Sequence, residues 1–182
     1  MPMLEQRIQQ QFFESADLLS QTAEALSKPI ADAAQTLLGC ITAGGKVMLF
    51  GSGAAAGLAQ HGAALMIGRF ERERPALAAL AVGSDAEVQA LGSPGDVLLA
   101  ISAGSPAPAL AAAVVAAQDK DMTVVALTGR DAGGLLARLG ETDVHIAVPH
   151  ERAARIHEVH TLVLHCLCDA VDLQLLGEQE PI

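Results

Sequence analysis

Residues Lys46–His61, with the sequence KVMLFGSGAAAGLAQH, combine an apolar run, a glycine turn and the start of an apolar helix. A glycine turn in this position presents backbone N–H groups to a phosphate, assisted by the helix dipole and often by a side-chain hydroxyl. Alanines fill positions 54–56 after the second glycine, and their side chains donate no hydrogen bonds. The stretch therefore predicts a strand followed by a structural turn, or at most a backbone phosphate cradle around Ser52 and Gly53.

Four further apolar runs follow the first, Lys46–Phe50, and alanine-rich or otherwise helical segments separate them. Strands that alternate with helices in this way form parallel, doubly wound sheets with helices on both faces. The sequence thus predicts an α/β fold of three layers. The other predicted strands are Leu77–Val82, Val97–Ile101, Thr123–Leu127 and Val144–Val148.

Helices are predicted at both ends of the chain, outside the sheet. Apolar residues recur at helical spacing over residues 4–26, and Pro29 then opens a second periodic segment that ends near Ile41. The last helix is expected from about residue 151 past residue 173. Its section TLVLHCLCDAV is apolar nearly all round, which is typical of a helix buried on several sides, as in an oligomer.

The length of 182 residues and the 51% hydrophobic content suit a single domain with one substantial core. We expect one domain over residues 1–182. Within it, residues 1–43 would form helices for oligomerisation, residues 46–148 the sheet core and residues 151–176 the C-terminal helix.

Charge and cysteine content exclude several classes of protein. The formal net charge of -10 opposes direct binding to nucleic acid, since that affinity comes from Lys and Arg releasing counterions. Cys40, Cys166 and Cys168 indicate a reduced, cytoplasmic chain. The long uncharged runs at 47–68 and 97–117 are broken by glycine and proline, so no membrane span is expected. The N-terminal sequence MPMLEQRIQQ predicts no signal peptide.

Ligands of open parallel sheets bind at the carboxyl ends of the strands, so the loops found there are the candidate site. The loop TGRDAGG carries Thr128, and the loop SAGSPAP carries Ser102 and Ser105 before a helix that opens with proline. These hydroxyls are candidate anion ligands. Serine and proline are also ordinary helix-start residues, and TGRDAGG has the composition of a simple strand-to-helix turn, so a structural role remains open.

The segments AQHGAALMIGRFERERPAL, GDVLLAIS, MTVVALTGRDAGG and VPHERAARIHEVHTLVLHCLCDAVD together resemble the SIS (sugar isomerase) domain family. Within it, the chain is similar to the branch of phosphoheptose isomerases and of DiaA, a protein that associates with the replication initiator DnaA. The resemblance implies a five-stranded sheet of flavodoxin-like order, a homotetramer and a site for phosphorylated sugars between subunits.

The chain departs from the family pattern at the positions that the resemblance assigns to chemistry. Ala55 stands where a serine touches the phosphate, and Leu65 stands where a glutamate acts as base and metal ligand. Ala103 and Ala107 fall within a loop that is otherwise rich in hydroxyls. A segment that forms one wall of the sugar pocket is reduced to the tripeptide GSD at residues 83–85. Leucine cannot move a proton, so no catalytic residue is predicted.

The resemblance also implies a metal site, of which three histidines remain. His61 occupies one ligand position, His165 another, and His157 stands where the family has a glutamine ligand. Three imidazoles could face a cation such as zinc. His157 and His165 are two helical turns apart on one helix, however, and packing at a helix interface is the alternative role. No cofactor is expected, with zinc as the candidate if one binds.

These departures favour a non-catalytic, DiaA-like protein that takes part in DNA replication initiation. We predict a homotetrameric scaffold that binds DnaA, with Leu175 and Leu176 as candidate contact residues beside the acidic Glu178 and Glu180. The same two leucines would otherwise close the helix against a neighbour. The alternative is a phosphoheptose isomerase, acting on sedoheptulose 7-phosphate, or a protein that binds a phosphorylated sugar in a degenerate site.

Overall fold

The computed structural model describes residues 2–177, which form a five-stranded, all-parallel sheet with helices on both faces. The strand order is β2-β1-β3-β4-β5, so the predicted three-layer, flavodoxin-like α/β fold is confirmed. Four of the predicted strands shift by one or two residues at an end. The strands are β1 (Val47–Gly51), β2 (Ala79–Val82), β3 (Val97–Ile101), β4 (Thr123–Thr128) and β5 (Val144–Ala147).

The helices divide between the two faces of the sheet. Alternate residues of β1 point to opposite faces, so Val47 and Leu49 belong to one buried cluster while Met48 and Phe50 belong to the other. The first cluster includes residues of α1, α2 and α5, and the second includes residues of α3 and α4. The helices are α1 (Pro2–Thr42), α2 (Ala55–Ile67), α3 (Asp85–Leu91), α4 (Pro108–Asp119) and α5 (Ala153–Leu176), with a 3-10 helix at Gly133–Arg138.

The N-terminal region differs from the prediction of two helices. A single helix, α1, runs continuously for 41 residues and contains Pro29 in its interior. Proline removes one backbone hydrogen bond and usually ends or kinks a helix. Here Leu26 before the proline and Ala33 after it are both buried in the same core cluster, so tertiary packing supports the helix on either side of Pro29.

Two glycines let α2 approach its neighbours closely. Gly51 ends β1, and a Cβ at this position would collide with the backbone of Ala55 in the first turn of α2. Gly62 faces the sheet and α5, where a Cβ would lie 2.7 Å from Leu49 Cδ2 and 3.2 Å from Leu164 Cδ2. The sequence GSGAAAG therefore folds as the predicted tight strand-to-helix turn, and α2 packs against β1 and α5 at short distance.

A short helix fills the connection between β2 and β3. The Ser84 side chain accepts a hydrogen bond from the Glu87 N–H, and the Glu87 carboxylate accepts one from the Ser84 N–H, which is a complete capping box. These donors hold the pKa of Glu87 below its usual value, with the Gly83 N–H as the largest cause. The tripeptide GSD therefore starts α3, and the crossover closes without a longer loop.

Helix α5 is long and apolar enough to cross a membrane by length and composition, the one such helix among residues 2–177. Its residues Ile156, Val163 and Leu167 are buried in the cluster that also contains α1 and the sheet. The same length and composition are found in the core helices of globular proteins, and the packing of α5 is that of a core helix.

Candidate functional site

Two of the predicted site residues meet at the contact between α2 and α5. His61 lies in the second turn of α2, His165 lies on α5, and their Nε2 atoms are 3.1 Å apart. The ring centroids are 5.4 Å apart with an interplanar angle of 63°. At this distance the Nε2–H of one ring donates to the lone pair of the other nitrogen, so the two imidazoles are hydrogen-bonded to each other.

A third ring joins this pair. Phe70, in the segment that follows α2, lies with its ring centroid 5.2 Å from that of His165 and with its plane tilted by 33°. His165 is half-buried, whereas His61 is exposed. We call His61, Phe70 and His165 the histidine side of the site.

A buried ion pair fixes the segment that carries Phe70. Arg74 donates from Nε to Asp172 on α5 at 2.5 Å, and both side chains are 1% exposed. The same guanidinium donates to the carbonyl oxygens of Leu65 and Met66 at the end of α2. One arginine thus joins the end of α2, the following segment and α5, which holds the two histidine-bearing helices together.

The predicted hydroxyl ligands lie on the other strands, and we call Ser102, Ser105 and Thr128 the hydroxyl side. Ser102 Oγ donates to Gly104 O at 2.8 Å, and Ser105 Oγ donates to Asp131 Oδ2 at 2.5 Å. The Ser105 hydroxyl, followed by the Gly133 N–H, holds the pKa of Asp131 below its usual value. An open cleft of about 570 Å³ lies beside these turns and is lined by Ala103, Gly104, Arg130, Asp131, His150 and Glu151.

Thr128 ends β4 and is fully buried. Its hydroxyl donates to Gly129 O at 2.9 Å, and His145 Nε2 lies 2.8 Å away, where its N–H donates to the same hydroxyl. Burial lowers the pKa of His145, which favours the neutral ring. Thr128 therefore links the ends of β4 and β5 and has a structural role.

The turn after β1 contains the remaining two predicted ligand residues. Gly53 has a φ of 59°, a left-handed conformation that glycine adopts without steric cost. Ser52 accepts the Ala55 N–H through its carbonyl oxygen, and the N-cap residue Ala54 provides no side-chain hydrogen bond. The next two N–H groups, of Ala56 and Gly57, donate to the carbonyl oxygens of Gly53 and Ala54, so the turn attracts an anion mainly through the positive end of the α2 dipole.

Comparison with known proteins identifies the family. The model of the SIS domain matches residues 11–93. A phosphoheptose isomerase from Methylibium petroleiphilum is 62% identical over 198 aligned residues, covering 99% of this chain and 99% of that protein. A second, from Aromatoleum aromaticum, is 44% identical and covers 96% and 97%. The chain belongs to the SIS domain family.

Solved structures of SIS relatives agree with this assignment. The phosphoheptose isomerase GmhA from Neisseria gonorrhoeae is 38% identical, with a TM-score of 0.86 over 93% of this chain and 98% of that one. A phosphoheptose isomerase from Francisella tularensis is 35% identical, with a TM-score of 0.88 over 94% and 99%. The alignment of 198 residues to the Methylibium protein also exceeds the 182 residues of this chain, which agrees with a chain shortened relative to its family.

These relatives overturn one prediction. The expected non-catalytic, DiaA-like scaffold is wrong, because proteins that are 62% and 44% identical over nearly the whole chain are named phosphoheptose isomerase. These relatives do not support the predicted DnaA partner or a role in DNA replication initiation. Leu175 is 37% exposed and Leu176 half-buried, while Glu178 and Glu180 lie outside the described residues. The alternative reading, an isomerase, fits the family.

The structure places Leu65 one helical turn after His61. Its side chain packs, half-buried, against the core cluster, and its carbonyl oxygen accepts from Arg74. A hydrocarbon side chain here can neither carry a proton nor bind a metal. If this SIS protein transfers protons, a group other than Leu65 must carry them. His61 lies one turn before Leu65 on α2 and contacts His165 on α5.

The three predicted metal ligands do not come together. His157 lies beside His160, with ring centroids 6.4 Å apart, and burial lowers its pKa. Over residues 2–177 no three His, Cys, Asp or Glu side chains form a group that could hold a metal ion. A catalytic zinc site takes three protein ligands and a water, so the His61–His165 pair alone does not supply the set.

Sequence reasoning gave Phe70 and Arg74 no role in the site and treated His160 only as a residue of helix packing. His160 is fully buried on α5, and its Nε2–H donates to Thr128 O at 3.1 Å. Burial lowers its pKa to about 4. The three partners lie 32, 95 and 98 positions away in the sequence, and helical spacing contains no signal for such pairs. The three arginines within RFERERP were the available hint that this segment binds an acidic partner.

Proposed function

We propose that this protein is an aldose–ketose isomerase that acts on a phosphorylated sugar, with sedoheptulose 7-phosphate as the first substrate to test. The observation that carries the proposal is the 62% identity, over 99% of the chain, to a protein named phosphoheptose isomerase. The three free cysteines fit a reducing compartment such as the cytoplasm.

The reaction moves a proton between adjacent carbons and needs a basic group within hydrogen-bond reach. We assign this role to His165. A neutral imidazole takes the proton from the carbon beside the carbonyl and returns it to the former carbonyl carbon, while the hydroxyl proton passes to the former carbonyl oxygen. This assignment replaces the base that Leu65 cannot provide.

His61 is the partner of that base. In the free chain the Nε2 atoms of the two imidazoles bond to each other at 3.1 Å, so a substrate must take the place of this hydrogen bond. The exchange leaves no buried group unpaired, because His61 is exposed and His165 is only half-buried. The sugar phosphate is assigned to the turn at Ser52 and Gly53, because the positive end of the α2 dipole lies there.

We also propose that the active form is a homotetramer built through α1 and α5. Residues 3–13 expose five large apolar side chains, each at least 50% accessible. A cleft of about 350 Å³ between α1 and α5 is lined almost entirely by apolar groups. Monomers rarely expose contiguous apolar surface of this kind, so a second copy of the chain is the expected cover. The five side chains are Met3, Leu4, Ile8, Phe12 and Phe13.

The test is conversion of sedoheptulose 7-phosphate by the purified protein, followed by a discontinuous assay of the aldose phosphate product. We expect turnover above the uncatalysed background, and a loss of about 10²- to 10⁴-fold in kcat for His165→Asn. Thr161→Ala, one turn earlier on α5, is the matched control and should keep the wild-type rate. No turnover by the wild-type tetramer would overturn the function, and an active His165→Asn would overturn the choice of base.

A further inference from the structure

The plane of the His165 ring is held from two directions. Phe70 lies against it at a centroid distance of 5.2 Å and a tilt of 33°, and His61 meets it more nearly edge-on, at 5.4 Å and 63°. Rotation of an imidazole about its terminal torsion is broad and roughly two-fold, so the side chain does not itself fix the direction of Nε2. Contacts with neighbours must select the orientation in which Nε2 of His165 faces Nε2 of His61.

The chain has few aromatic side chains that could pack against the His165 ring. It contains four phenylalanines and no tyrosine or tryptophan. Phe12 and Phe13 are largely exposed on α1, and Phe50 is buried in the core cluster on the far face of the sheet. Phe70 alone of the four lies against a histidine of the site.

Phe70 is itself held in place by the segment around it. Arg74 anchors one end through Asp172 and through the carbonyl oxygens of α2. Arg72 Nη1 donates to Gly177 O at 3.0 Å, just beyond the end of α5. The ring of Phe70 therefore lies on a segment fixed to the same helix that carries His165, and its position relative to that imidazole is set by the backbone.

We propose that Phe70 is a positioning residue, which stacks on His165 and fixes the ring plane in which its Nε2 faces His61. The contact acts through the imidazole and does not touch the reacting atoms. Its kinetic consequence rests on the proposed function, whereas its geometric consequence exists in the free protein and can be measured without turnover.

The experiment compares Phe70→Leu, which keeps apolar volume but removes the aromatic plane, with Phe70→Tyr, which keeps the plane. Phe70→Met is a second non-aromatic variant, and Leu91→Met, at a residue that is 46% exposed at the end of α3 on the opposite face of the sheet, is the matched control. Imidazole proton resonances are recorded by NMR at one fixed pH, with the His165 signals identified by their loss in His165→Asn. Steady-state kinetics and thermal unfolding are measured on the same samples.

We expect Phe70→Leu and Phe70→Met to weaken the nuclear Overhauser effect between the His61 and His165 ring protons, because His165 then no longer holds its Nε2 toward His61. The His165 shifts themselves move with the loss of the Phe70 ring current, whatever the orientation of the imidazole. In both variants kcat should fall by about tenfold or more at nearly unchanged KM, since the base is misdirected while the substrate still binds. Phe70→Tyr should restore both properties, and Leu91→Met should change neither.

Two results would overturn the proposal. One is a His61–His165 Overhauser effect that keeps its wild-type strength in both non-aromatic variants. The other is a kcat loss that follows the melting temperature and is not rescued by Phe70→Tyr, which would make Phe70 a packing residue only. If the wild-type protein shows no turnover, the proposed function fails, while the NMR comparison still decides whether Phe70 orients the ring.

Discussion

On the hydroxyl side, Ser102, Ser105 and Thr128 each donate a hydrogen bond to an acceptor of the protein, whereas on the histidine side His61 and His165 bond to each other. A ligand at the hydroxyl side finds the donors already used, and taking one would leave a carbonyl or carboxylate oxygen of a turn unpaired. A ligand at the histidine side exchanges one hydrogen bond for another. The hydroxyls thus stabilise the turns, and the histidines are free for chemistry.

The largest loss of stability is expected when the buried ion pair between Arg74 and Asp172, next to the histidine side, is broken. Arg74→Met removes one member of a buried ion pair and leaves the Asp172 carboxylate, 1% exposed, without its cation. We expect the free energy of unfolding to fall by about 3–5 kcal/mol. Urea denaturation monitored by circular dichroism measures it. A loss below about 1 kcal/mol, which is the range of surface ion pairs, would show that the Arg74–Asp172 pair does not determine stability.

The next effect concerns His160, which ties α5 to the hydroxyl side through Thr128 O. Burial lowers the pKa of this histidine from 6.5 to about 4, so the unfolded chain takes up a proton at a higher pH than the folded chain. The contribution of His160 to stability is therefore complete above about pH 6.5 and is lost as the pH falls toward 4, by about 3 kcal/mol in total.

Urea midpoints measured at several pH values between about 4.5 and 7.5 test this dependence of stability on pH. His160→Leu should flatten the pH dependence, although not completely, because burial also lowers the pKa of His145 and His157 in the same direction. An equally steep dependence in the variant would mean that other groups cause the acid destabilisation.

Much of this fold follows from local sequence, and the site does not. The five strands are apolar runs bounded by turn residues, so composition alone located each of them to within two residues. Pro29 gave the wrong local signal, because packing of Leu26 and Ala33 in one cluster keeps α1 continuous. The contact between His61 and His165 joins positions 104 residues apart, a distance over which no periodicity carries information.

The error about function has a similar origin. Leu65 led to the prediction that a proton-transferring group is missing, but that inference treated the base as a single position. Proton transfer depends on which groups meet in space. His165 contacts His61 on α2, one helical turn before Leu65. The identity of 62% over the whole chain outweighs the loss at one residue.

A smaller effect is expected for Ser102→Ala on the hydroxyl side. Ser102 is 6% exposed and its hydroxyl donates to Gly104 O, so removing it leaves one carbonyl oxygen of the turn without that donor. We expect a loss of about 1 kcal/mol in the free energy of unfolding, with KM for the sugar phosphate nearly unchanged. Denaturation and steady-state kinetics measure the two quantities. A large rise in KM at unchanged stability would instead assign Ser102 to substrate binding.

The smallest effect is expected for Arg130→Met, which also breaks an ion pair and so provides the counterpart to Arg74→Met. Arg130 Nη1 lies 3.0 Å from Glu151 Oε1 at the cleft of the hydroxyl side, but the two side chains are 62% and 77% exposed. Water solvates both charges before and after the substitution, and ordering two long side chains offsets part of the attraction. We expect a change of about 0–1 kcal/mol in the free energy of unfolding, shrinking further in added salt. The same urea titration as for Arg74→Met makes the comparison direct. If Arg130→Met destabilised the protein as much as Arg74→Met, solvent exposure would not explain the difference in strength that we expect between the two ion pairs. The cleft would then have to be a rigid part of the fold.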